Sequence, residues 1–219
     1  LLDSSTYGRK SHLEVEGSMN ELELLQGVRL KGRVSIADLA ATLTSEPDAV
    51  GIAIEELAQS GLVLSGKTLK LSPAGRKRLS ELLDAERSQL DHDAVAGIYA
   101  AFRPVNAEFK TLIADWQVRD GQPNPHDDAS YDEAVLARLE PVHEGAMAVI
   151  ADAGAHVPRL RAYAGKLSSA LDRIRTGDLI WLTRPIVDSY HTVWFELHEE
   201  LIGMAGLTRH EEALAGHAE

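Results

Sequence analysis

The chain has 219 residues, with 22 Lys and Arg against 34 Asp and Glu, a formal charge of −12, and no cysteine. That length holds one large domain or two small ones, and no run approaches the ~20 apolar residues needed to span a bilayer. The lack of cysteine excludes disulfides, thiolate catalysis and cysteine-based zinc, and agrees with a reducing, cytoplasmic setting.

Charge is unevenly placed along the chain. Residues 20–80 hold 8 Lys and Arg against 7 acids, and residues 81–219 hold 12 against 24. The balance moves from +1 to −12, which points to two units with different surroundings. Richness in Ala and Leu with few aromatics reads as mainly helical. Residues 1–18 are polar, show no signal-peptide apolar segment, and end in "GS" before Met19. They read as a flexible N-terminal segment or a tag remnant.

From Met19 the elements follow in order. "MNELELLQGVRLKG" (19–32) has apolar residues at 22, 24, 25, 28 and 30, a helical stripe stopped by Gly32. "VSIADLAATL" (34–43) is a short helix capped by Ser35, with Leu39, Ala40 and Leu43 inward. "TSEPDAVGIAIEELAQSGLV" (44–63) is a third helix, with Thr44 or Ser45 as cap, Pro47 in its first turn and Gly61 at its end. "LVLSGKTLKLS" alternates apolar and polar residues about Ser65–Gly66, a two-stranded hairpin signal. "SPAGRKRLSELLDAERSQL" opens a long helix, with Ser72 as cap and Pro73 first.

This order resembles the winged helix-turn-helix of MarR-type regulators over residues 20–88. "SIADLAATL" is similar to their second helix, "TSEPDAVGIAIEELAQSGLV" to their recognition helix, and "LKLSPAGRKRLSELLDAE" to their wing strand and following helix. The resemblance implies a winged domain over 19–88 that binds duplex DNA as a homodimer, third helix in the major groove and wing on the backbone. The stretch 60–79 carries Lys67, Lys70, Arg76, Lys77 and Arg78 and no acid, as phosphate contact needs. Expected contacts are Ser45, Asp48, Gln59, Lys67, Lys70 and Arg76. The third helix argues against base reading. Its expected outer positions are Glu46, Asp48, Ala49, Gly51, Ile52, Glu55, Glu56 and Gln59, with no Arg, Lys or Asn to pair with a base edge.

Residues 89–219 read as an all-helical dimerisation or effector domain. Helices are predicted over 73–91, 92–103, 104–119, 128–154, 156–176, 177–183 and 186–206, with "RDGQPNPHDDAS" (119–130) as the main loop and no strand. Asn106, Lys110, Ile113 and Gln117 share one face of their helix, while Phe109, Leu112 and Trp116 share another. In "RPIVDSYHTVWFELHEELIGMAG" the apolar stripe is Val187, Tyr190, Trp194, Leu197, Leu201 and Met204. Beside it run Asp188, His191, Phe195 and His198. Asn106, Lys110, Gln117, Asp188, His191 and His198 either line a pocket for a small anion or metal, or pack as hydrogen-bonded groups at a helix seam. Two His at i and i+4 with a Glu between are missing, so no metal set is assigned. No Ser–His–Asp order, phosphate loop or glycine fingerprint appears, so no catalytic residue or cofactor is assigned and an enzyme is not expected.

"EFKTLIADWQVRDGQPNPHDDASYDEAVLARLEPVH" and "RIRTGDLIWLTRPIVDSYHTVWFELHEELIGMAGLTR" resemble an actinobacterial helical module. That module sits beside a winged helix in stand-alone regulator-like chains, or at the end of chains with phosphoenolpyruvate/pyruvate-binding, dikinase-like domains. The resemblance implies a sensor or adaptor. Two functions are therefore expected: a bacterial DNA-binding transcriptional regulator with a small-molecule effector, or a non-DNA-binding interaction module that docks a dikinase-like enzyme.

Overall fold

Asn20 opens the first helix, because its side-chain oxygen accepts the Leu22 N–H and satisfies a donor that a helix N-terminus leaves orphaned. In the computed structural model, which describes residues 19–185 and 187–214, this helix, α1, runs Glu21–Lys31 and stops at Gly32. The segment 1–18 lies outside the described residues. The chain is mainly helical, with two small antiparallel hairpins, and divides between Leu79 and Ser80 into two units.

In the first unit, Ser35 caps α2 (Ile36–Leu43) by accepting the Asp38 N–H. Helix α3 (Pro47–Gln59) starts differently from expectation. Its N-cap is Glu46 with no side-chain hydrogen bond, and Thr44 instead closes α2 in the left-handed region at φ 53°. Val50 and Ile54 bury the inner stripe of α3. Gly61, at φ 73°, then reverses the chain, with its N–H and that of Leu62 returning to the carbonyls of Ala58 and Leu57.

Strands β1 (Val63–Leu64) and β2 (Lys70–Leu71) pair antiparallel, Val63 opposite Leu71 and Leu64 opposite Lys70. The connection is five residues, 65–69, longer than a two-residue turn at Ser65–Gly66. The extra length lets Leu69 turn inward and give its N–H to the Val34 carbonyl, 2.8 Å away. The hairpin is thereby tied to the link between α1 and α2. Helix α4 (Pro73–Arg87) follows. Ser72 Oγ accepts the Gly75 N–H and donates to the Gly61 carbonyl, which fastens the start of α4 to the end of α3. A Cβ on Gly75 would stand 2.0 Å from the Leu62 carbonyl oxygen, so only glycine permits this crossing.

The second unit is built on α5 (His92–Gln117), a single helix that passes through Pro104 where the sequence predicts two. The proline withholds one N–H from Ala100. Both residues lie exposed, on the outer side of the helix, and buried Phe102, Asn106 and Phe109 continue the inner stripe past the proline. The expected loop at 119–130 contains a hairpin, β3 (Val118–Arg119) and β4 (Gln122–Pro123), turning at Asp120–Gly121 with φ 51° and 75°. Two positive φ values are what a type I′ Asp-Gly turn demands.

The expected helix 128–154 is two, α6 (Ala129–Ala137) and α7 (Leu139–His156). Pro141 explains the break, since it has no N–H for the Ala137 carbonyl. A 3-10 turn (Pro158–Arg161), α8 (Ala162–Arg175), α9 (Ile180–Thr183), α10 (Tyr190–Met204) and α11 (Arg209–Leu214) complete the unit. Ser189 caps α10 by accepting the Thr192 N–H. Phe102, Phe109, Leu112, Leu139, Ile150 and Tyr190 are among the largest fully buried side chains of its core. Among the described residues, no helix is long and apolar enough to cross a membrane.

Candidate functional site

Helices α5 and α10 build a cavity of about 310 Å³ in the second unit, with Arg209 of α11 also among its lining residues. On α5 the lining positions include Asn106, Lys110, Ile113 and Gln117, successive steps of three and four residues that put them on one helical face. Phe109 stands beside them. On α10 His191, Trp194, Phe195 and His198 do the same over two turns. Five of the six residues expected to share a site therefore line one cavity. Asp188 does not. It precedes the Ser189 cap, so it lies outside α10 and off the helical spacing that would align it with His191.

The aromatic wall is fixed by stacking and one buried hydrogen bond. The Phe109 and Trp194 rings stack at 4.2 Å, and Phe102 lies 5.6 Å from Trp194. Trp194 Nε1–H donates to Asn106 Oδ1 at 2.9 Å. This orients both side chains, since a buried indole N–H needs an acceptor. Phe195 is 42% exposed, and the Arg209 guanidinium lies 4.5 Å from its ring centre, a cation–π contact.

His198 is set by a chain of groups behind the cavity. Tyr99 Oη donates to Glu212 Oε2 at 2.7 Å, and Arg103 Nη2 donates to Glu212 Oε1 at 3.1 Å. With its O–H directed at Glu212, the Tyr99 oxygen accepts from His198 Nε2, 3.2 Å away. That assigns the Nε2–H tautomer and leaves Nδ1 as the ring's acceptor. Burial first, and the positive charge of Arg209 next, push the His198 pKa down to about 4, against Glu199 and Glu212. The imidazole is therefore neutral at pH 7.

The cavity's charges are positive. Lys110 and Arg209 line it and no carboxylate does. Arg209 is shared with Glu199 at 2.7 Å. Lys110 is half-buried and has no ion pair among the described residues. Among the described residues, no group of three or more His, Asp or Glu is placed to hold a metal.

In the first unit, the five cations of 60–79 separate into different environments. Arg78 makes two bonds to the Glu21 carboxylate, at 3.0 and 2.7 Å, and these hold the Glu21 pKa below its ordinary value. Arg76 Nη1 donates to the Leu71 carbonyl. Lys77 is exposed but has a partner of its own. Lys67 is exposed near the hairpin tip, Lys70 is half-buried on β2, and neither has an ion pair among the described residues.

On α3, Asp48, Ala49, Ile52, Glu55, Glu56 and Gln59 are exposed, and Ile52 is 65% so. Ser45 is half-buried and donates its hydroxyl to the Leu43 carbonyl.

The sequence carries no signal for Arg209 or for the Tyr99–Glu212–Arg103 group behind His198. The contacts of Tyr99, Arg103, His198 and Glu212 join residues about a hundred positions apart, which no local spacing signals, and Arg209 lies beyond the last helix expected. No family model, no curated protein and no solved structure matches the chain.

Proposed function

We propose that the chain is a DNA-binding regulator, with a winged helix-turn-helix in its first unit and, in its second, an effector site or the seam between two copies. The observation that carries this reading is the pairing of Leu69 with Val34. It ties a hairpin to the link before α2, as the third strand of a wing would be tied, and it accompanies exposed Lys67 near the hairpin tip. Lys67, Lys70 and Arg76 then meet phosphate by displacing condensed counterions. Base reading by α3 contributes little. Its outer face offers Asp48, Glu55 and Glu56, which phosphate repels, and only Gln59 as a side chain able to pair with adenine.

The test is charge removal at the wing. Lys67→Ala is expected to weaken binding to all duplex sequences alike, and to reduce the slope of log K against log salt by about one. Fluorescence anisotropy on labelled duplexes reads both. An unchanged slope removes the wing from the interface.

A second reading is favoured by Ile52. An isoleucine that exposed, ringed by acids, suits a partner protein with an apolar, basic face better than it suits a polyanion. On that reading the first unit is an interaction module, and the duplex titration returns no binding.

A further inference from the structure

We infer that the cavity of α5, α10 and α11 binds a small aromatic monocarboxylate, its carboxylate held by Lys110 and Arg209 and its ring against Phe109, Trp194 and Phe195. This names the effector class for the site left general above, and it stands on the geometry of the second unit alone.

Size sets the first limit. A volume of about 310 Å³ is at the lower end of small-molecule sites and equals the share of roughly ten liquid waters, enough for one ring system and a short substituent. Shape sets the second. The stacked Phe109–Trp194 pair is held in place by the Asn106 bond, and Phe195 adds a further ring. Such walls favour a flat apolar body, since stacked and edge-on aromatic contacts add to simple area burial.

Charge sets the third limit. Two cations line the cavity and no acid does, but Glu199 already balances Arg209. About one positive charge is left, on Lys110. A singly charged carboxylate matches that balance, whereas a phosphate dianion would leave charge uncompensated in a partly buried site. His198, held neutral with Nε2–H turned to Tyr99, adds an acceptor for a hydroxyl or ring N–H on the ligand.

Calorimetric titration of the full chain tests this with benzoate, 4-hydroxybenzoate and indole-3-acetate, against benzyl alcohol and inorganic phosphate. At least one aromatic carboxylate is expected to bind at a single saturable site and to change tryptophan fluorescence. Benzyl alcohol should bind at least about tenfold more weakly, the worth of one charge-assisted hydrogen bond. Lys110→Gln should cost the carboxylate a similar factor of about ten while leaving the unliganded unfolding midpoint unchanged. Absence of saturable binding by all three carboxylates, phosphate binding tighter than any of them, or full carboxylate affinity in Lys110→Gln each overturns the assignment. None of these readouts uses DNA, so failure here leaves the wing proposal standing, and loss of DNA binding leaves this one standing.

Discussion

Arg159→Met is expected to destabilise the helical unit by about 3–5 kcal/mol, the usual cost of breaking a buried ion pair from one side. Arg159 sits in the 3-10 turn after α7, with Nη1 2.6 Å from Glu200 Oε2 on α10 and Nη2 2.6 Å from Glu86 Oε1 on α4. Its side chain is 12% exposed and that of Glu200 only 5%. Methionine keeps the volume of the stem but leaves the Glu200 charge buried without its cation. Arg159→Lys should fall between, because one ammonium cannot reproduce the planar fork that reaches two carboxylates. Adding Glu200→Leu to Arg159→Met should recover most of the loss, since the stranded charge is then gone. Urea midpoints followed by circular dichroism read all three variants. A wild-type midpoint in Arg159→Met would show that the network contributes no stability.

The second large effect is a fall in stability on acidification, traced to His198. Its pKa lies at about 4 in the folded protein against 6.5 for the free side chain. Between those values the unfolded chain takes up a proton that the folded one refuses. Stability therefore rises with pH across that window, is fully present above 6.5, and is lost as pH falls towards 4. The loss from this one group is on the order of 3 kcal/mol. The groups around the imidazole are Tyr99 and Arg103 on α5, Glu199 on its own helix, Arg209 and Glu212 on α11, and Lys110. Burial lowers the His143 pKa as well, so the wild-type profile carries a second contribution of the same sign. His198→Gln keeps a donor for Tyr99 but cannot titrate, and its midpoint should vary less between pH 6.5 and 4 than the wild type. Parallel profiles for the two proteins would remove His198 as the cause.

How much of this could be read beforehand follows the range of each interaction. Asn106, Lys110 and Gln117 on one helix, and His191 and His198 on another, are aligned by the 3.6-residue period, and the structure brings them to one cavity. Asp188 falls away because the cap is Ser189, a boundary shift of a few residues that periodicity does not fix. Asp120–Gly121 is a hairpin turn signal inside the segment expected to be a loop. Pro104 and Pro141 look alike in sequence, yet one is carried inside a helix and the other follows a break, and only packing tells them apart. The five-cation stretch was legible as charge but not as availability. Arg78 is engaged by Glu21, 57 residues earlier in the chain.

Contact of Lys67, Lys70 and Arg76 with phosphate is the proposal on which the DNA-binding reading rests. The most direct measurement is the affinity of the full chain for duplex genomic fragments at two salt concentrations fourfold apart. Three phosphates neutralised per protomer predict a loss of about 40-fold between them, and a steeper loss if two copies bind together. Affinity that does not change with salt, or no binding at the lower concentration, would contradict it.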